Sequence, residues 1–270
     1  MRRQHHASVV ESGFALLIVL WTLVPIALLF VMLAAAARSD AQLTANLRSA
    51  AELEATADGA IYSALFDLLQ RGVASRNSPP VTMRLPGADV LVDVRSESGL
   101  VNPNTASPGL FGALLVRVGA DPAQALNVAS AVADWRTPGR RSMQRGFKAS
   151  RYQAAGFDYG PPGAPFETLS ELADVLGMTP ALLQALTPHL TLYADGDPDP
   201  ALADPVVRDA LHDLGAIAAT SEAGSHIVRI TATAERSNAA RVTRRAIIQI
   251  GPSPNRRGWR VLVWDTPHDE

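Results

Sequence analysis

Cysteine is absent from the 270-residue chain, which excludes disulfides, thiolate metal sites and a cysteine nucleophile. An oxidising compartment is not excluded, because a chain of this length with 47% hydrophobic residues buries a core without covalent staples. A bias of charge is missing too. The 24 Lys and Arg against 26 Asp and Glu leave a formal net charge of -2, with no global attraction to nucleic acid or to an acidic surface. His5 and His6 stand near the start, while His189, His212, His226 and His268 are scattered, and none pairs at helical metal-ligand spacing. There is no glycine-rich phosphate loop and no nucleophile elbow. Nothing marks a catalytic pair of carboxylates. The chain reads as a non-enzyme.

What the sequence does have is one long apolar run. Residues 14–37 carry no charge, and Thr22 is their only polar side chain. At about 1.5 Å per residue they reach about 36 Å as a helix, enough for a hydrocarbon layer of about 30 Å. Arg2, Arg3, His5 and His6 precede the run, and Arg38 and Asp40 follow it. That asymmetry predicts a cytoplasmic N-terminus, with the bulk of the chain across the membrane. Pro25 removes one backbone hydrogen bond, a defect that neighbours can repair. Two plainer readings compete: a signal anchor, or a signal peptide cut after Ala35 or Ala37 in "MLAAAARSDA". Signal peptides have shorter apolar cores, about 7–15 residues. Beyond the run, Leu43, Leu47, Ala50, Ala51, Leu53, Ala57, Ile61, Leu65 and Leu68 recur every three or four residues, and Gly72 offers a stop. The spacing predicts one helix from Phe14 to about Gln70, its first half in lipid and its second half on a globular domain.

The segment "RGVASRNSPPVTMR" then breaks the helix, and "GADVLVDVRSESG" alternates Val90, Val92 and Val94 as a half-buried strand. A weak repeat follows at an offset of 58: "LLVRVGADPAQAL" lines up with "LADVLGMTPALLQ". Gly119 or Gly177 ends one helix, Asp121 or Thr179 caps the next, and Pro122 or Pro180 takes its first position. In these hairpins proline removes an amide and Asp121 repels phosphate, so they read as packing modules and not DNA-binding units. Between them Arg136, Arg140, Arg141, Arg145, Lys148 and Arg151 form a basic tract, read as a solvated loop or as a docking patch for an acidic partner. Asp195, Asp197 and Asp199 make half of a calcium loop, without the bidentate glutamate or the proper glycine; a charged linker is the better reading. "SHIVRITATAE", "ARVTRRAIIQIG" and "WRVLVWDT" predict three further strands, with Trp259 and Trp264 packing at the sheet edge. The expected class is α+β: a long N-terminal helix packed on an antiparallel sheet, with a large all-helical insertion.

Gly13 and Phe14, behind a polar leader and ahead of the apolar helix, resemble a type IV prepilin leader. In that family the peptidase cuts after the glycine, and the new Phe14 amine is methylated. The resemblance places Ile18 at the fifth mature position, where most pilins carry a glutamate that pairs with a neighbour's terminal ammonium. Its absence is typical of the K-type minor pseudopilin of type II secretion. "LVNPNTAS" (Asn102, Asn104, Thr105, Ala106), "ADW" at 133–135, "YQAAGFDYGP" at 152–161 and "APFETLSEL" at 164–172 also resemble that family. The family's calcium-binding acids are replaced here by the basic tract, so no calcium site is carried over and no cofactor is expected. The resemblance implies a cleaved leader at 1–13, a transmembrane helix at 14–37 and its amphipathic continuation at 38–72. It further implies a pilin-like body at 73–101 and 193–270, and an inserted helical domain at 102–192. It implies a single pass through a bacterial inner membrane, with the bulk periplasmic. The implied partners are the I- and J-type minor pseudopilins, the major pseudopilin and the prepilin peptidase. The implied role is to start and cap the pseudopilus that secretes proteins across the outer membrane. Two other expectations stand beside it: a minor pilin of a type IV pilus or DNA-uptake apparatus, kept alive by the basic tract, and a membrane-anchored periplasmic binding protein.

Overall fold

The computed structural model describes residues 8–71, 79–139, 142–215, 226–236, 240–251 and 258–267 of the chain. Two units divide it, Met1–Ala55 and Thr56–Glu270, and each is described by itself. The helix α1, Ser8–Arg71, supplies all the described structure of the first. Every described side chain from 17 to 35 is exposed, including Trp21 at 74% and Phe30 at 69%. A helix that is apolar all round needs a core or a bilayer around it, and none of the described residues of its most apolar window is buried. Its most apolar 18-residue window has a mean hydropathy of 2.8, and it is long enough to cross a membrane. Pro25 lies inside α1 without ending it; its missing N–H leaves the Trp21 carbonyl without the usual helix bond. The Thr22 hydroxyl is satisfied within the helix, donating to Val19 O at 2.9 Å.

In the second unit, Ala57, Ala60, Ile61, Leu65 and Leu68 of α1 are buried at helical spacing. The antiparallel sheet runs in the order β1 (Val81–Leu85), β2 (Ala88–Ser96), β3 (His226–Glu235), β4 (Arg241–Ile250), β5 (Trp259–Asp265). Period-two burial holds where the sequence alternates: Ala88, Val90 and Val92 of β2, and Ile230, Ala232 and Ala234 of β3, lie inside. The strand β1 corrects the reading of its stretch as a mere helix breaker. Pro86 and Gly87 (φ 89°) make a tight turn between Leu85 and its partner Ala88, and that turn returns "VTMRL" against β2. Trp264 does sit at the edge, on β5. Its ring centroid is 5.0 Å from that of Tyr62, and its indole N–H donates to Asp58 Oδ1 at 3.1 Å. The same oxygen accepts from Arg244 Nε at 2.9 Å, so one carboxylate ties α1 to β4 and β5.

Between β2 and β3 lie α2 (Pro108–Arg117), α3 (Pro122–Arg136), α4 (Ser142–Ala154), a 3-10 turn (Leu169–Asp174), α5 (Pro180–Leu186) and α6 (Pro205–Asp213). Phe111, Leu114, Leu115, Val132, Trp135 and Leu186 centre their shared core. The two halves of the repeat close as their residues predict. Asp121 caps Ala123 N and Gln124 N, Thr179 caps Leu182 N, and Gly119 and Gly177 take φ of 102° and 86°. The first element of the second half is 3-10 where the first half has α2. The helix α6, which the sequence assigned to the body, packs into the helical core through Val207, Ala210 and Leu211. Arg117 on α2 also donates to Asp213 at 2.7 Å, and this bond holds the Asp213 carboxyl below its ordinary pKa.

Removing the Asp58 carboxylate strips two donors of their acceptor. Asp58→Ala is expected to cost about 2–3 kcal/mol and Trp264→Phe about 1 kcal/mol, as hydrogen bonds to charged groups outweigh neutral ones. Urea unfolding midpoints at constant slope check both values.

Candidate functional site

The residues singled out by the sequence fall in two places. Gly13 and Phe14 lie within α1, with the Phe14 side chain outside the described residues; residues 1–7 lie outside them entirely. Ile18 is on the apolar stretch of the same helix, 47% exposed. An ionised carboxylate at such a position would cost about 2.5–3.5 kcal/mol on insertion scales unless a partner neutralised it. Isoleucine costs nothing there, and it offers a neighbour nothing to pair with.

Asp195, Asp197 and Asp199 line a concavity of about 70 Å³ with Ser98, Ala194, His226 and Ile227. Among the described residues no group of three or more His, Asp or Glu is placed to hold a metal ion. Asp199 is a turn former: its N–H donates to Ser98 O at 2.8 Å and its carboxylate accepts from Ala201 N at 2.9 Å.

The other place is the joint between sheet and helices, residues 96–107. The strand β2 hands over at Glu97, whose N–H donates to Ile227 O at 2.8 Å. Its carboxylate is fully buried, with Oε1 2.6 Å from Arg229 Nε: an ion pair by distance, though its angle is not that of a hydrogen bond. A Cβ at Gly99 would stand 2.3 Å from Leu202 O, so only glycine lets the outgoing chain pass. Val101 then bridges to Leu190: its N–H donates to His189 O at 2.9 Å, and its carbonyl accepts from Thr191 N at 3.0 Å. The ingoing and outgoing chains are thereby zipped together.

Both asparagines of the Asn-Pro-Asn-Thr-Ala tract work as donor and acceptor at once. Buried Asn102 donates to Ala194 O at 2.7 Å and accepts from Asn104 N at 2.8 Å. Asn104 donates to Phe166 O at 3.0 Å and accepts from Phe166 N at 2.7 Å, a strand-like pair made by one amide. Ser107 caps α2 through Leu110 N. Arg136 reaches across to Pro103 O at 2.5 Å and Ala106 O at 2.6 Å, and burial lowers its pKa from the usual guanidinium value. Below the joint Trp135 stacks on Phe166 with centroids 5.8 Å apart. Tyr152, its phenol pushed up by burial, accepts from Leu176 N at 3.2 Å.

Among the described residues, the basic tract is therefore not a solvated loop. From Ser142 onward it is α4, and the sequence missed this because the like charges Arg145, Lys148 and Arg151 mask a proline-free helical stretch. Arg136 holds the joint, Lys148 lies 3.2 Å from Asp134 Oδ1, and Arg151 lies 3.3 Å from Asp134 Oδ2. Arg140, Arg141 and the side chain of Arg145 lie outside the described residues. Among the described residues this arrangement fixes a helical insert to a sheet.

Residues 90–195 match the family model for type II secretion system protein K. The chain is 33% identical over 86 residues to the type II secretion system protein K of Klebsiella pneumoniae, a match covering 32% of this chain and 26% of that relative's length. Its fold is like that of a chain in the crystal structure of the GspK-GspI-GspJ complex from the enterotoxigenic Escherichia coli type 2 secretion system. There the TM-score is 0.62 at 20% identity, over 86% of this chain and 99% of the other.

Asn104→Asp keeps the acceptor but sets an anion against Phe166 O. It is expected to lower stability by about 2 kcal/mol and to speed amide exchange around Phe166, read by hydrogen-exchange mass spectrometry.

Proposed function

Because residues 90–195 match the family model for type II secretion system protein K, we propose that the chain belongs to that family and serves as the minor pseudopilin at the tip of a periplasmic pseudopilus. The observation that carries this reading is the uncharged apolar stretch of α1, with isoleucine and not an acid at position 18. The leader ending at Gly13 is trimmed from the cytoplasmic side and the Phe14 amine is methylated. The helix spans the inner membrane once, with its N-terminus cytoplasmic, and the second unit lies in the periplasm. Lacking an acid at position 18, the subunit cannot neutralise the terminal ammonium of a subunit ahead of it, so it occupies the leading end. The tightly jointed helical insert favours the same place, because a mass of that size obstructs repeated stacking along a shaft. Through α1 the chain joins the I- and J-type minor pseudopilins, starts the fibre and caps it for secretion through the outer membrane. It acts by assembly and not by catalysis. The DNA-uptake reading loses support, since Arg136, Lys148 and Arg151 have partners within the chain.

Mass spectrometry of the mature amino terminus is expected to find N-methyl-Phe14. A terminus near Ala36 or at Met1 contradicts the reading. Gly13→Val is expected to leave the leader in place and to abolish stable co-purification with the I- and J-type subunits.

A further inference from the structure

The last turn of α3 exposes carbonyl groups that no residue of its own helix can satisfy, and it carries the negative end of the helix dipole. Each described partner there comes from outside the regular ladder. Ala133 O accepts the Thr137 hydroxyl at 2.6 Å, and Trp135 O accepts the Gly163 N–H at 2.8 Å. Asp134 O accepts the Lys148 ammonium at 2.9 Å, and Thr137 O accepts it at 3.2 Å. Asp134 Oδ1 lies 3.2 Å from the same nitrogen, and the Lys148 side chain is only 16% exposed. Three oxygens thus meet the three N–H groups of one ammonium. Two of them are main-chain carbonyls held by packing: a Cβ at Gly163 would already stand 3.2 Å from Thr137 O and 3.1 Å from Pro138 Cα. The other Asp134 oxygen is 3.3 Å from Arg151 Nη1, so α4 sends two cations to one carboxylate.

We propose that Lys148 is a fixed internal cation, joining α4 to the carboxyl end of α3 and filling an oxygen site that would otherwise take a cation from solution. Carbonyl and carboxylate oxygens are the ligands hard cations choose, but at about 2.3–2.6 Å for calcium. The distances here, 2.9 to 3.2 Å, are those of hydrogen bonds to nitrogen. The ammonium travels with the chain, so this corner of the insert holds together whatever the divalent cations around it. A lysine acting only through its aliphatic packing would have no such oxygen cage and no response to added cation.

The test uses the full chain purified in detergent, with Lys148→Ala, which empties the cage, and Lys148→Met, which fills it with an apolar group. Both are expected to lower Tm by about 4 °C or more. Calcium chloride is expected to restore at least half of the loss in Lys148→Ala, beyond any rise in the unsubstituted chain, and none of it in Lys148→Met. Terbium luminescence sensitised by the neighbouring Trp135 is expected to appear in the alanine variant above the unsubstituted level. Should Lys148→Ala fold only when refolded with calcium, the proposal is supported. Unchanged Tm in the alanine variant, failure to fold with or without calcium, a loss that calcium does not mend, or equal mending in both variants overturns it.

Discussion

A helix without charge over residues 14–37 is the constraint on which the rest depends. Water solvates such a stretch poorly, and its described side chains from 17 to 35 are all exposed. On the proposed reading lipid and other apolar helices surround it, and the chain is tied to a membrane before its folded body acts at all. Backbone groups inside such a layer must be satisfied internally. The helix turns its one hydroxyl back on Val19, and it continues through Pro25 at the cost of one bond at the Trp21 carbonyl. On the proposed reading, the absence of a carboxylate at Ile18 is as informative as its presence is in subunits that follow one another.

From that constraint the design of the second unit can be read as a chain of rigid couplings. Asp58 fixes the helix to β4 and β5 through two donors on one oxygen. The sheet carries the position forward along β2 and β3 to Glu97, Ser98 and Ile227. Asn102, Asn104 and Arg136 then lock the insert to itself and to its own outgoing chain. Most of these couplings use charged or bidentate groups at buried or partly buried positions, where hydrogen bonds are strong and their loss is costly. A load applied at the insert therefore reaches the sheet and the folded part of α1 through short, directional bonds.

Local rules made much of this legible in the sequence. The long helix, the caps at Asp121 and Thr179, the glycines at 119 and 177 and four of the five described strands follow from spacing within a few residues. What escaped was long-range or masked. The prolines at 79, 80 and 86 hid the five-residue strand β1, whose partner supplies the ladder that its own sequence does not advertise. Like charges hid α4, because the acid that receives two of them lies on α3. The partner of Asp58 stands 186 residues away, and that of Asn104 62 away, separations at which no pattern in one sequence speaks. The asparagine tract was legible as a joint by resemblance; its bonding was not.

The most direct test of the tip position is gold labelling of an epitope in the helical insert, on pseudopili sheared from cells that overproduce the major subunit. The account predicts one label at a single end of each fibre. Labels spaced along the shaft would contradict it, because a subunit with isoleucine at position 18 would then be following others inside the membrane-derived core.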